Sequence, residues 1–243
     1  MNGPPPGFSR YFGTIGCATL FLVLLFLCLL PLFFFQFIEF ALTRLHMAPE
    51  AALLVVIGIF LGSLVNFPVY HIERQEEQVL DLGAVVGLWN WAPPLRRVRR
   101  DTIIAVNVGG CLIPSVVATW EISHIARAPQ GAWPFVALAA VVAADVAVCW
   151  WVARPVQGVG IAMPGFVAAL TAVAGTWILL WPAPYAELRA PVAFVAGVAG
   201  PLIGADLLHL KDITKVSAGM LSIGGAGTFD GIVLSGVLAA VLA

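Results

Sequence analysis

Seven apolar stretches, each near twenty residues, occupy most of this 243-residue chain and constrain it more than any single motif. A hydrocarbon core of about 30 Å asks for about 20 apolar residues per helix. The stretches run roughly Gly13–Ile38, Pro49–Tyr70, Thr102–Ile122, Ala132–Val152, Val159–Trp181, Ala190–Leu208 and Gly219–Ala243. Only 10% of the residues are charged, against about 25% in soluble domains. The expected fold is therefore all-α: one polytopic integral membrane domain over 1–243, with about seven transmembrane helices. Residues 1–10, rich in glycine and proline, read as a disordered N-terminus, and 71–101 as a cytoplasmic loop. The first apolar run is longer than a signal-peptide h-region, with no small-residue cleavage pattern after it. It reads as an uncleaved first span.

Orientation follows from the basic residues in alternate loops. One side collects Arg10, Arg74, Arg96, Arg97, Arg99, Arg100, Arg154, Lys211 and Lys215; the other holds Arg44, Arg127 and Arg189. This asymmetry predicts a cell (inner) membrane protein with its N-terminus in the cytoplasm and its C-terminus outside. The loop over 71–101 is acidic first (Glu73, Glu76, Glu77, Asp81) and basic at its end, with Trp89 and Trp91 between. Tryptophans at headgroup level and arginines on anionic lipid account for that pattern.

Charge within a span is expensive, so an intramembrane carboxylate is a functional candidate by default. Asp145, Asp206 and Asp230 qualify. Asp206 follows Gly200-Pro-Leu-Ile-Gly-Ala, and Asp230 follows Gly224-Gly-Ala-Gly-Thr-Phe; treating 225–243 as helix puts Asp230 about 8 Å into its span. Asn66 and Asn107 sit near the same end of the second and third spans. Pro164 with Gly165, and Gly200 with Pro201, would break the fifth and sixth. Broken helices at membrane depth are tolerated where they are buried or line a water-filled cavity. The expectation is one polar pocket open to the cytoplasm, with Asp206, Asp230, Asn66 and Asn107 binding an ion or substrate. Each residue also has a plainer reading. Either asparagine could bond between helices, and Asp206 could reach headgroup water beside His209 and Lys211. Asp145, in a span without glycine, ranks third and could pair with a neighbouring helix.

Other chemistry finds no footing. The phosphate-binding Gly-x-x-x-x-Gly-Lys, the zinc-protease His-Glu-x-x-His and the Gly-x-Ser-x-Gly patterns are all missing from the sequence. His46, His71, His124 and His209 are scattered at segment ends, and Cys17, Cys28, Cys111 and Cys149 lie in apolar runs without paired spacing. The cysteines read as buried thiols, and no metal or cofactor is expected. Expected partners are the bilayer and a small ion or solute. A net charge of −1 points to no nucleic acid, and the sequence names no protein partner.

The run Arg154-Pro-Val-Gln-Gly-Val-Gly-Ile-Ala-Met-Pro, then Leu202-Ile-Gly-Ala-Asp-Leu-Leu, then Ser222-Ile-Gly-Gly-Ala-Gly-Thr-Phe-Asp-Gly-Ile resembles the membrane family called domain of unknown function 1614. Asn66-Phe-Pro and Asn107-Val-Gly-Gly fit it too, and the likeness runs from about Gly62 onward. It implies no established activity, but both aspartates fall inside the pieces that carry it. A weaker likeness is to intramembrane aspartyl proteases with a Gly-x-Gly-Asp motif. Here Thr228 and Phe229 separate Gly227 from Asp230, and Pro-Ala-Leu is missing. Three readings stand. The leading one is a proton- or cation-coupled carrier or channel. The others are an intramembrane aspartyl protease with Asp206 and Asp230 as its dyad, and a non-catalytic scaffold subunit.

Overall fold

The computed structural model describes residues 8–72, 77–80, 95–98, 102–156, 160–181, 183–213 and 220–243. Helix α1 spans Phe8–Thr43. Helix α2, Pro49–Gly62, opens with a proline in its first turn, where the missing N–H costs nothing. Strand β1 (Asn66–Ile72) follows, then a hairpin of β2 (Glu77–Leu80) and β3 (Leu95–Val98), then β4 (Thr102–Asn107). A π-helical turn, Val108–Leu112, leads into α3, Ile113–Ala126. Helix α4 is Trp133–Val152. A short hairpin, β5 (Arg154–Val156) and β6 (Gly160–Ala162), precedes α5, Gly165–Leu179. Helix α6 (Arg189–Ala199) runs directly into a π-helical segment, Gly200–Leu207, then the single turn α7, Leu210–Ile213. Strand β7 (Met220–Ile223) and a tight turn lead into α8, Gly231–Leu242.

The chain is mostly helical, but the all-α expectation is too strong. β1, β4 and β7 form one sheet in that order, β1 antiparallel and β7 parallel to β4. Pro68 cannot donate to a helix ladder, and the β-branched run Thr102-Ile-Ile suits a strand. The expected second span therefore ends as helix at Gly62, and the third begins as helix only after Asn107. The fifth starts as α5 at Gly165, and the seventh as α8 at Gly231. The sixth is not broken at Gly200-Pro201 but widened into π geometry. The 71–101 loop contains the β2–β3 hairpin, in which Gln78 pairs with Arg97. Trp89, Trp91, Arg99 and Arg100 lie outside the described residues. At the N-terminus the helix reaches back to Phe8, just past the Gly/Pro run, so 8–10 are helical; residues 1–7 fall outside the description.

Among the described residues, three helices are long and apolar enough to cross a membrane: Val108–Ala126, Trp133–Val152 and Pro184–Asp212. Leu32–Thr43, Pro49–Gly62, Gly165–Leu179 and Gly231–Leu242 are apolar but shorter. Helix ends gather at two levels. Opposite the three-stranded sheet, Arg44 Nη1 donates to Ala240 O at 3.1 Å and Val241 O at 2.5 Å, closing the end of α8. Arg189 Nε donates to Leu180 O at 2.8 Å, with its guanidinium 4.2 Å from the Trp177 ring centre. Two of the three basic residues expected on that side thus satisfy helix-end carbonyls, which have no intrahelical partner.

Helix α6 is the centre of the packing: Val192 to Val198 are all buried. A helix apolar all round belongs in a core. It crosses α8 where Gly197 meets Ser235, so closely that a Cβ on Gly197 would stand 2.8 Å from Ser235 O. Pro201 removes the N–H that Gly197 O would otherwise accept four residues on. Ser235 Oγ lies 2.5 Å from that carbonyl and as close to Gly231 O one turn back on its own helix, so its single proton is shared between the two.

Candidate functional site

At the sheet end the chain encloses a cavity of about 430 Å³. Four elements meet there: one face of the π segment (Pro201, Ala205, Asp206), strand β7 with its turn (Met220 to Ala226), the start of α8 (Asp230 to Ile232), and β1 through Asn66. Ile161 and Met163, ahead of α5, close it. Three of the four expected site residues, Asp206, Asp230 and Asn66, line this one space. None of its described lining residues is basic.

The two aspartates are held differently. Asp230 is the N-cap of α8. Its Oδ1 accepts from Ile232 N at 3.0 Å, and its Oδ2 from Ala226 N at 3.3 Å. Capping side chains satisfy helix N–H groups left without intrahelical partners, and a negative charge there suits the helix dipole. Asp230 thus has a structural role whatever else it does, and it stands at the start of a helix, not 8 Å along one. Asp206 makes no hydrogen bond or ion pair among the described residues, and its carboxyl lies close enough to Asp230 for their charges to interact. Two neighbouring carboxylates with no described basic side chain on the wall attract protons or metal cations.

Asn107 is fully buried and lies behind the cavity wall. Its Nδ2 donates to Ser63 O at 2.9 Å and to Asn66 Oδ1 at 3.0 Å, while its Oδ1 accepts from Gly110 N at 2.7 Å. It is a brace that ties the end of α2 to the β4–α3 junction. Asn66 Oδ1 also accepts from Ser222 Oγ at 2.6 Å, which leaves the Asn66 amide N–H₂ as the group it offers the cavity. Ser222, absent from the sequence-level candidates, fixes that orientation; the only sequence signal for it was its place in Ser222-Ile-Gly-Gly.

The turn after β7 depends on glycine. Gly224 has φ +70°, and a Cβ there would lie 2.6 Å from the Gly110 carbonyl carbon. The two junctions, β4 into α3 and β7 into α8, therefore touch backbone to backbone. Beside them, Ser63 Oγ lies 3.1 Å from Thr228 Oγ1. Strand β7 hydrogen-bonds to β4 on one edge only; its other edge is unpaired among the described residues.

Asp145 is apart from this cluster. It is fully buried on α4, where a Cβ on Gly200 would come within 2.6 Å of its carboxyl carbon. Its Oδ1 accepts from Cys149 Sγ at 3.7 Å, and its Oδ2 has no partner among the described residues. It does not form the interhelical pair that the sequence allowed. Cys111 and Cys149 are free buried thiols.

Residues 60–242 match the family described as Protein of unknown function (DUF1614). No curated protein and no solved structure matches the chain.

Proposed function

The chain belongs to that DUF1614 family, and as one of its members we propose that it is a multi-pass membrane protein of about seven spans that binds a proton or cation in the Asp206–Asp230 cavity as a carrier. The carrying observation is the pairing itself: two carboxylates line one cavity whose described wall has no basic side chain. The half-length helices support the rest. α2, at 14 residues, is about 21 Å long and α8, at 12, about 18 Å. Strands and turns supply the remaining depth around the cavity, the arrangement in which irregular backbone is stable within a membrane. Transporter sites are built this way, from helix ends and backbone carbonyls at breaks.

Large apolar side chains turned outward on α1, α3 and α4, including Phe26, Phe33, Trp120 and Trp151, suit a lipid-facing surface. The basic asymmetry would set the cavity on the cytoplasmic side of an inner membrane, with the C-terminus outside.

A second reading, an intramembrane aspartyl protease, is favoured by the edge of β7 that is unpaired among the described residues. An extended peptide can add to such an edge as a strand, beside two carboxylates able to share a proton. The discriminating experiment reconstitutes the protein in liposomes. It measures cation- or proton-driven flux and cleavage of single-span substrates, for wild type and for Asp206→Asn and Asp230→Asn.

A further inference from the structure

The cavity that holds Asp206 and Asp230 is far larger than a bare ion. Its volume is about 430 Å³, whereas one water takes about 30 Å³ and pockets for small organic molecules begin at about 300 Å³. Size alone would also suit an ion among several waters, so the lining decides. Around the carboxylates and Asn66, the wall is built from Ile161, Met163, Pro201, Met220, Ile223 and Ile232. A hydrated ion gains nothing from such side chains, whereas an apolar body leaves water by packing on them. Methionines adapt that wall to an irregular shape.

The polar groups set the sign of the ligand's charge. Asp230 Oδ1 and Oδ2 each accept one backbone N–H, from Ile232 and Ala226, which holds the carboxyl in place with lone pairs to spare. Asp206 accepts from nothing among the described residues, so its oxygens are open to a donor. No basic side chain stands on the described wall to neutralise either one. A cation bearing N–H groups answers both needs through charge-assisted hydrogen bonds. A quaternary ammonium ion does not. It carries no N–H, and the described wall has no aromatic ring whose face could hold it.

Resting on the carrier reading, we infer that the cation taken by this cavity is an organic ammonium ion. It is a primary amine whose –NH₃⁺ lies on Asp206 and Asp230 and whose apolar body packs on the methionine and isoleucine side chains. Gly231 offers a handle on the size of that space. It lines the cavity at the first position of α8, and a Cβ added there would meet nothing within 4 Å. A larger side chain at 231 would therefore take up cavity space without displacing protein atoms.

The test is equilibrium binding of radiolabelled phenethylamine to the full chain in nanodiscs, with empty nanodiscs as the baseline. The expected result is one saturable site per chain. Phenethyl alcohol and the trimethylammonium analogue should compete at least ~10-fold more weakly, since neither offers an ammonium N–H. Asp206→Asn should weaken binding at least ~10-fold by removing a charged acceptor. Gly231→Leu, with folding checked by thermal melting, should weaken phenethylamine and spare methylamine. Equal weakening of both amines would remove the apolar body from the site. Binding unaltered by Asp206→Asn, or equal competition by the alcohol, would overturn the inference, as would the absence of saturable binding in wild type. In that last case, protein that still moves protons or Na⁺ into proteoliposomes keeps the ion-carrier reading and loses only the amine; protein that moves neither loses both.

Discussion

Asn107 Nδ2 donates to Asn66 Oδ1 over 3.0 Å, at the register pair where β1 and β4 meet. Both residues were expected as ligands, and the contact divides their work. Asn107 commits both amide N–H donors and its carbonyl oxygen to the fold, and Asn66 keeps only its amide donors for the cavity. The cavity is thus shaped by a buried polar brace one layer behind it.

That division predicts a stability effect. Asn107→Ala leaves the Gly110 N–H, the Ser63 carbonyl and part of Asn66 without their partner. Each buried unsatisfied group costs about 1–3 kcal/mol. A loss of roughly 2–4 kcal/mol is expected, seen as a Tm several degrees lower in detergent. Asn66→Ala should cost less, because Asn107 keeps its other two bonds. Melting curves for Asn107→Ala that overlay wild type would remove the brace from this account.

The α6–α8 crossing gives a double-mutant test. Ser235→Ala takes a hydroxyl donor from the Gly197 carbonyl and should cost about 1–2 kcal/mol. In a Pro201→Ala background an N–H returns at position 201, and the carbonyl regains a donor within its own helix. The cost of Ser235→Ala should then shrink by at least half, a coupling a thermodynamic cycle reads directly. Additive effects would mean that the serine does not substitute for the missing proline N–H.

Much of this site was legible because the background is apolar. In a chain with 10% charged residues, Asp206, Asp230 and Asn66 stand out, and the structure brings those three to one cavity. What hydropathy could not separate was helix from strand. Thr102 to Val106 is as apolar as a span, and a short apolar run reads either way. Hence the expected helical depth of Asp230 failed: it caps the start of the last helix instead of lying inside it. Ser222, Ser63 and Ser235 escaped notice because a hydroxyl among glycines barely alters hydropathy. Glu121 escaped because its partner His46 is 75 residues away. Asp145 was visible as a charge in a span, but that its Oδ2 has no partner among the described residues only the structure could reveal.

Topology can be checked independently of function. Single cysteines at Arg97 and at Ala243, in a background with Cys17, Cys28, Cys111 and Cys149 replaced, should differ in reaction with an impermeant maleimide on intact cells. Position 243 should label from outside and position 97 only after lysis. External labelling at 97 would invert the proposed orientation.

The central claim is that the Asp206–Asp230 cavity binds the transported proton or cation. Asp206→Asn should leave the fold intact, since Asp206 bonds to nothing among the described residues, and Asp230→Asn should keep the helix cap on Ile232 N at the loss of the longer Ala226 bond. The direct measurement is flux into proteoliposomes driven by an imposed proton or Na⁺ gradient, compared across wild type, Asp206→Asn and Asp230→Asn at equal protein incorporation. The account predicts flux in wild type that either variant lowers at least ~10-fold or shifts in its pH dependence, unequally between the two. Flux indistinguishable among all three proteins would contradict it, as would substrate cleavage lost equally in both variants with no gradient-driven flux in wild type.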